Sequence, residues 1–332
     1  DDYGTELTGV TGPDGYATFV LTAGGEWEIR ELLPDDGWCQ ISPATGTYQY
    51  LAMSGDEPGV FEFGNYRCVT IDVFKYEDVN SNGVYDDGDV PLAGWYFELV
   101  DSSGAVCNYD WTDETGHLQF TVCEYDTWTV VEEDRQGWTH INPASGTLTV
   151  DTPSGIAPDT LEFGNFRDVI IVVFKYHDRD SDGVYDGGIY PGADEPVERW
   201  LFTISGPGVT DASEYTDSGG YAYFRVNRSG TYIVTEEERT GWVHVNPLSG
   251  TADLAVVSGD EPGVLEFGNF QTVRVWVFKY DDVLANGWYG PSDGDVPLEG
   301  WKFTLYIWDG EEWEFVAENY TDESGYASFL ID

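Results

Sequence analysis

The chain has little positive charge: 14 Lys and Arg stand against 62 Asp and Glu in 332 residues, a formal net charge of −48. A surface this acidic repels phosphate backbones and anionic headgroups, which excludes nucleic acid and anionic membranes as partners. No apolar run is long enough to span a bilayer and no signal peptide opens the sequence; any such segment is expected outside this stretch. No helical period emerges. His117, His140, His177 and His244 read as forming no repeated cluster, and the aspartates sit in loops at metal-ligand spacing, so a hydrolase is disfavoured. There are only four cysteines, without zinc-type spacing.

Lysine is scarcer still, and its placement is informative. Lys75, Lys175 and Lys279 occupy one place in a repeated unit, as Phe74-Lys75-Tyr76, Phe174-Lys175-Tyr176 and Phe278-Lys279-Tyr280. Val69, Ile71 and Val73 alternate up to Lys75, so in an extended strand the ammonium shares the apolar face. An inward lysine must be paired, neutral or consumed by chemistry, because an isolated buried charge is very costly.

Other landmarks recur in step. Phe63-Gly64-Asn65, Phe163-Gly164-Asn165 and Phe267-Gly268-Asn269 repeat, as do Gly37-Trp38, Gly137-Trp138 and Gly241-Trp242, at intervals of 100 and then 104 residues. That period suits tandem globular domains rather than a solenoid. The reading is a partial unit at 1–68, complete units at 69–168 and 169–272, and a partial unit at 273–332. Short alternating segments punctuated by Gly, Pro, Asn and Asp make each unit all-β, with strands expected at 69–77, 95–100, 117–122, 128–133 and 160–166. Six or seven such strands suit a two-sheet Ig-like β-sandwich. Only nine residues separate Asn65 from Phe74, which leaves almost no linker between units.

The cysteines divide by unit, and Cys39–Cys68 with Cys107–Cys123 is the simple disulfide reading, implying an oxidising, extracellular setting; buried free thiols are the alternative. Asn227-Arg228-Ser229 and Asn319-Tyr320-Thr321 are glycosylation sequons. The acidity itself admits two readings, a calcium-loaded secreted protein or adaptation to high salt.

After each lysine strand comes an acidic loop. Asp78, Asn80, Asn82, Asp86 and Asp89 offer oxygens at positions 1, 3, 5, 9 and 12, with Gly83 at 6 and the Val84 carbonyl at 7. That is the EF-hand ligand schedule, on a strand rather than a helix, and it predicts Ca²⁺. The next loop repeats Asp178, Asp180, Asp182, Val184 and Asp186, and an insertion supplies Asp194 in place of Asp89. The last keeps Asp282, Asn286 and Asp295, but Leu284 takes a ligand position and predicts a weaker site.

Two further polar residues share the lysine's inward setting. Glu132 falls on the face of Trp128 and Val130, and Asn165 on that of Leu161 and Phe163; Glu236 and Asn269 repeat this. Burial favours a neutral lysine and a protonated glutamate. The acid can polarise the Asn carboxamide while the amine attacks it, releasing ammonia and leaving an amide cross-link. A static Lys–Glu pair with Asn bonded to it is the plainer alternative. The expected cross-links are Lys75–Asn165 and Lys175–Asn269. Half-sites stand at Glu31 and Asn65, which lack a lysine, and at Lys279, which lacks both partners. The stretch therefore reads as a window on a continuous array, with split-module polymerisation as the alternative; the strand motif at Gly15–Phe19 and again at Gly325–Phe329 favours the array.

Val73-Phe74-Lys75-Tyr76, then Leu92-Ala93-Gly94-Trp95-Tyr96-Phe97-Glu98-Leu99, then Val130-Val131-Glu132 before Gly137-Trp138 resemble the B-type repeats of collagen-binding adhesins and Gram-positive pilins. The 78–89 loop resembles the calcium-binding B repeats of serine-aspartate surface proteins. The resemblance covers all four units and implies prealbumin-like sandwiches, isopeptide bonds at Lys75, Glu132 and Asn165 and at Lys175, Glu236 and Asn269, and a stalk or shaft role. The resulting expectation is a non-enzymatic extracellular fibre, filament or adhesin shaft whose partners are neighbouring modules or subunits. The rival is a secreted carbohydrate-binding protein, in which outward aromatics such as Phe74, Tyr76 and Trp276 stack on glycans.

Overall fold

The structure, a computed structural model, describes residues 6–34, 37–188 and 192–331. These form two compact units, Asp1–Arg167 and Asp168–Asp332. Both are all-β; the one helical element among the described residues is the single 3₁₀ turn Pro291–Asp293.

In the first unit the lysine strand Val69–Glu77 is the centre of a sheet. It pairs antiparallel with His117–Val122 and, at its far end, with Val90–Pro91. On its other edge it runs parallel to the closing strand Leu161–Arg167, with Lys75 opposite Phe163 and Glu77 opposite Asn165. Trp138–Asn142 completes this sheet beyond the closing strand. A second, antiparallel sheet runs Thr147–Asp151, Thr127–Glu132, Tyr96–Val100, Val106–Trp111. The two sheets close on one core that includes Ile71, Val73, Phe120 and Phe163 from the first and Phe97, Leu99, Trp128 and Val130 from the second. The alternation read from sequence is thus the inward face, and each large side chain buried there contributes roughly 1.5–3 kcal/mol.

The second unit repeats the plan. Val169–His177 runs parallel to Leu265–Gln271 and antiparallel to Tyr221–Val226, and faces a sheet ordered Val209–Tyr215, Leu201–Gly206, Gly230–Glu236, Thr251–Val256. The flanking stretches hold fewer ladders. Gly25–Arg30 pairs with Thr47–Ala52 and Trp38–Ser42 with Gly64–Arg67. Val273–Phe278 pairs with Tyr326–Ile331 and Lys302–Trp308 with Trp313–Tyr320. All five strands expected in 69–168 are present within a residue or two, and Val106–Trp111, Trp138–Asn142 and Thr147–Asp151 are additional.

The expected disulfides are corrected. Cys68 bonds to Cys123, with Cα atoms 4.2 Å apart, and Cys39 and Cys107 are free thiols. Strand register explains this: Val69 lies opposite Val122, and one step further along the antiparallel pair brings Cys68 opposite Cys123. Cys107 sits on the exposed outer strand of the other sheet, and Cys39 Sγ stops 3.5 Å from Cys68 Sγ. The bond therefore ties residues 1–68 to the following module at their junction. There, Arg67 N–H also donates to Ser154 Oγ at 2.8 Å and Gly155 N–H to Arg67 O at 3.0 Å.

One glycine fixes where the lysine strand meets its antiparallel neighbour. Gly116 has φ +80°, and a Cβ there would lie 2.5 Å from the Lys75 carbonyl oxygen; its own carbonyl accepts Lys75 N–H at 2.8 Å. Gly116→Ala is expected to destabilise the chain by at least about 1–2 kcal/mol from the left-handed backbone alone, read by urea denaturation. Non-reducing peptide mapping is expected to recover a Cys68–Cys123 peptide.

Candidate functional site

The parallel pairing of first and last strands brings the inward polar residues together. Lys75 is fully buried, and Glu132 and Asn165 are 5% and 0% exposed. Lys75 Nζ lies 3.2 Å from Glu132 Oε1 and donates to Phe163 O and Tyr76 O at 3.1 and 3.2 Å. Asn165 Nδ2 donates to the same Glu132 Oε1 at 2.6 Å, while Asn165 Oδ1 is buried without a partner. Lys175, Glu236 and Asn269 reproduce this arrangement, with the lysine at 2.9 Å and the asparagine at 3.0 Å from Glu236 Oε2.

The surroundings oppose charge. Burial is the main effect on Lys75 and outweighs attraction to Glu132, lowering its pKa to about 8; Arg135 lowers it further. Lys175 is likewise lowered to about 8, chiefly by burial. Burial raises Glu132 and Glu236, against the attraction of their lysines. Both directions weaken the charged forms and lower the cost of reaching the neutral amine and the carboxylic acid. Trp95 roofs the site, with Lys75 Nζ 4.7 Å from its ring centre on one side and the Arg135 guanidinium 4.1 Å away; Trp138 packs edge-on against it. The recurrent Gly-Trp landmark is therefore part of this roof.

The half-sites have matching parts. Asn65 Nδ2 donates to Glu31 Oε1 at 2.7 Å. Lys279 Nζ donates to Tyr280 O at 2.8 Å and lies over Trp301. Each thus holds the local half of the geometry.

The Phe-Gly-Asn motif also becomes legible. Phe163 is core, Asn165 serves the site, and Gly164 lies beneath the Tyr76 ring, where a Cβ would fall 2.6 Å from Tyr76 Cζ. Phe74 and Tyr76 stack on each other while Tyr85, from the acidic loop, meets both edge-on. This corrects the expectation of outward stacking aromatics. Phe74 and Tyr76 are 7% and 0% exposed because the loop folds back over them; Trp276 alone of the three is open, at 63%.

The acidic loops are wound alike, with Ser81, Ser181 and Ala285 at positive φ and Gly83, Gly183 and Gly287 two residues on. Asp78, fully buried, accepts N–H from Asn82 and Gly83 at 3.0 and 2.7 Å. Asp89 closes the loop by accepting from Val79 and Asp86. Asn80 and Asn82 both donate to Asp86. In the second loop Asp194 takes the closing role toward Arg179 and Asp186, and carboxylate oxygens of Asp178, Asp180 and Asp182 lie within 4.8 Å of one another. That convergence of hard oxygens fits a divalent cation. Val84 and Val184 lie on the exposed side of the loops. In the third loop Asp282 and Asp295 keep both roles and Leu284 is exposed. Asn286 donates to Asp293 at 3.0 Å, so Asp293 stands in for Asp86, a role hidden from the sequence by the two-residue insertion.

Sequence reasoning also missed two histidines. His140 Nε2 lies 3.6 Å from Glu132 Oε2 and His244 Nε2 3.6 Å from Glu236 Oε1. They do form a repeated pair, three residues after Gly137 and Gly241, and that shared offset was the available signal. Of the sequon residues, Asn319 is exposed, with Nδ2 donating to Ser328 O, and Asn227 is partly buried.

No protein-family model matches the chain. Over 307 residues it is 24% identical to serine-aspartate repeat-containing protein F of Staphylococcus epidermidis strain ATCC 12228, covering 86% of this chain and 18% of that protein. Over 321 residues it is 23% identical to serine-aspartate repeat-containing protein D of Staphylococcus aureus strain MW2, covering 93% and 21%. The chain thus spans about a fifth of the length of these curated relatives. Among solved structures it is similar to the Bacillus anthracis TIE protein, at a TM-score of 0.30 and 16% identity over 86% of this chain and 46% of that one. It is also similar to a streptococcal ancillary pilin, at 0.30 and 15% over 75% and 76%. The resemblance read from the acidic loop is likewise to serine-aspartate repeat proteins.

Asp78 supports its loop even before any cation binds. Asp78→Ala strands two backbone donors and is expected to destabilise the chain by at least about 2 kcal/mol, measured by denaturation in the presence of a chelator.

Proposed function

We propose that this chain is a non-enzymatic, load-bearing stretch of an extracellular surface fibre or adhesin stalk, in which Lys75–Asn165 and Lys175–Asn269 isopeptide bonds lock the complete modules. The observation that carries this reading is the meeting, in both modules, of a buried lysine and a buried asparagine on one carboxylate oxygen, between the first and last strands. Nothing about a passive core calls for this set: a buried ion pair gives little net stability, because desolvation offsets its attraction. The same set is what amide transfer needs. The amine supplies the nucleophile, the carboxyl moves protons, and the apolar roof keeps water from competing.

The location favours a mechanical role. Tension on a tandem array enters a module through its first strand and leaves through its last, loading their parallel ladder in shear. A bond from Lys75 to Asn165 carries that force past the ladder. The similarity to serine-aspartate repeat-containing proteins over 93% of the chain supports a cell-surface setting, with further modules or subunits of the same fibre as partners. For the carbohydrate-binding alternative, Phe74 and Tyr76 lie beneath the loop and leave Trp276 as the open aromatic of the three.

The loops 78–89 and 178–194 are read as Ca²⁺ sites that stiffen the end of each lysine strand, with the Leu284 loop the weakest. Asp178, Asp180 and Asp182 would hold the ion in the second loop. Extracellular modules bind calcium at roughly 10⁻⁴–10⁻³ M, so saturation at about 100 times Kd would add about 2.7 kcal/mol.

Intact mass under denaturing conditions is expected to fall short of the sequence mass by two ammonia molecules, with linked peptides joining Lys75 to Asn165 and Lys175 to Asn269. Glu132→Gln is expected to restore one ammonia and to lower stability by about 4 kcal/mol, the loop-closure contribution for a cross-link spanning on the order of 90 residues. Free Lys75 and Asn165 peptides from the native chain would refute the cross-link. Calcium is expected to raise the melting temperature and Asp182→Ala to remove part of that rise; a melting curve indifferent to calcium and chelator would refute the cation sites.

A further inference from the structure

His140 and His244 sit where the buried site meets solvent. In the antiparallel register His140 lies opposite Asn165 and His244 opposite Asn269. Each imidazole faces the glutamate oxygen that the lysine and asparagine leave unused. Lys75 and Asn165 share Glu132 Oε1 while His140 faces Oε2; Lys175 and Asn269 share Glu236 Oε2 while His244 faces Oε1. Those two unused oxygens are buried and accept no hydrogen bond. The imidazoles also have an outer neighbour: Asp134 Oδ1 lies 3.8 Å from His140 Nε2 and is fully exposed, and Glu238 Oε2 lies 3.8 Å from His244 Nε2.

The ring has a shaped seat. Gly146, at φ +67°, leaves room for it, since a Cβ there would fall 2.5 Å from His140 Cε1; Gly250 does the same under His244. The carbonyl of each glycine accepts the backbone N–H of the matching glutamate, at 2.9 and 3.0 Å. One turn therefore places both the ring and the carboxylate it faces. In the stretch without a lysine, Gln40 occupies this place, opposite Asn65.

We propose that His140 and His244 are positioning residues that act through Glu132 and Glu236, passing one proton between the buried carboxyl and solvent and so setting the pH at which the Lys–Asn bond forms. This rests on the cross-linking reading above. The proton balance leaves one proton that such a route can carry, in place of its leaving with the ammonia as ammonium. The lysine enters as an ammonium paired with a carboxylate. Its Nζ gives a proton to Glu132 and attacks Asn165 Cγ; the new C–N bond forms and the bond to Nδ2 breaks. Of the three ammonium protons, one stays on the new amide, one completes the departing ammonia and one remains on Glu132. Nζ delivers that proton to Oε1, the oxygen it faces; rotation of the carboxyl group then presents it on the His140 side, where a neutral imidazole can take it and hand it on past Asp134. An imidazolium cannot, and its charge favours the ionised Glu132, which is then no proton donor. Glu132 and Asp134 favour the imidazolium and Lys75 opposes it; Glu236, Glu238 and Lys175 do the same for His244. The bond therefore forms faster with a neutral imidazole than with an imidazolium, and the range to step through is roughly pH 5–8, where histidine side chains in general change charge.

The test starts from full-length chain isolated in denaturant and refolded at stepped pH, with ammonia loss followed by intact mass and located by peptide mapping. The wild type is expected to form each bond at least about tenfold faster at the upper end of that range than at the lower, within the span of general acid–base effects. His140→Gln, which installs the residue type found at Gln40, is expected to slow the Lys75–Asn165 bond about tenfold at high pH and to flatten its profile. The Lys175–Asn269 bond in the same molecules keeps the wild-type profile, and His244→Gln reverses the pattern. A variant whose local bond keeps the wild-type rate and profile overturns the relay and leaves the cross-link standing. A flat wild-type profile overturns the relay without any variant. A wild type that keeps the full sequence mass after refolding at every pH overturns the cross-link and the relay together.

Discussion

An ammonium group held out of water is the constraint around which each complete module is arranged. Moving such a charge into a protein interior costs several kcal/mol even after relaxation, so its partners must be placed closely or its charge removed. The fold does both. Glu132 comes from the facing sheet, Phe163 O and Asn165 from the parallel neighbour, and Trp95 covers the top. Placing the lysine on the first strand makes that strand central, because the site needs a strand on either side and a sheet in front. The burial that this requires is also what shifts Lys75 down and Glu132 up, toward the states that react.

The acidic loop is connected to this site through the backbone. Asp78 N–H donates to Asn165 O at 2.8 Å, and Asp178 N–H to Asn269 O at 2.9 Å. The first acidic residue of the loop thus holds the residue whose side chain lies on the glutamate. Tyr85 and Tyr185 reach back from the loops onto the Phe-Lys-Tyr strands. Order in the loop and order at the buried site are one structural problem, which gives a physical reason for both to recur at the same spacing.

Inward residues were legible in the sequence because a strand's alternation has one solution once a face is apolar: Lys75, Glu132 and Asn165 all followed from Val, Ile, Trp and Phe at alternate positions. Contacts that depend on which strands pair were not. Cys68 and Cys123 are joined by a register between strands far apart in the chain, and counting cysteines by unit could not reveal it. Phe74 and Tyr76 were assigned outward correctly as directions, yet a loop lies over them, and alternation says nothing about what covers a face. His140 escaped because its strand, 138–142, carries no clean alternation; all five of its residues are partly exposed. Asp293 was hidden by an insertion that moved it out of the ligand spacing without moving it out of the loop.

Parallel pairing of the first and last strands has a consequence for an array under load. Hydrogen bonds across such a pair are individually worth about 1 kcal/mol net, and tension pulling the strands in opposite directions loads the ladder together rather than unzipping it from one end. That cooperation lasts only while the register holds. Lys75 is opposite Phe163 and Asn165 opposite Glu77, so a bond between the two side chains spans the ladder diagonally and pins its register. At the junction after residue 68, the Cys68–Cys123 bond reaches from the end of one stretch to the strand flanking the next lysine. One covalent tie lies at the junction, and the proposed one lies within the module. Placed in series, the two would leave only short, strand-forming stretches of chain between cross-links, Cys68 to Lys75 and Asn165 to Lys175.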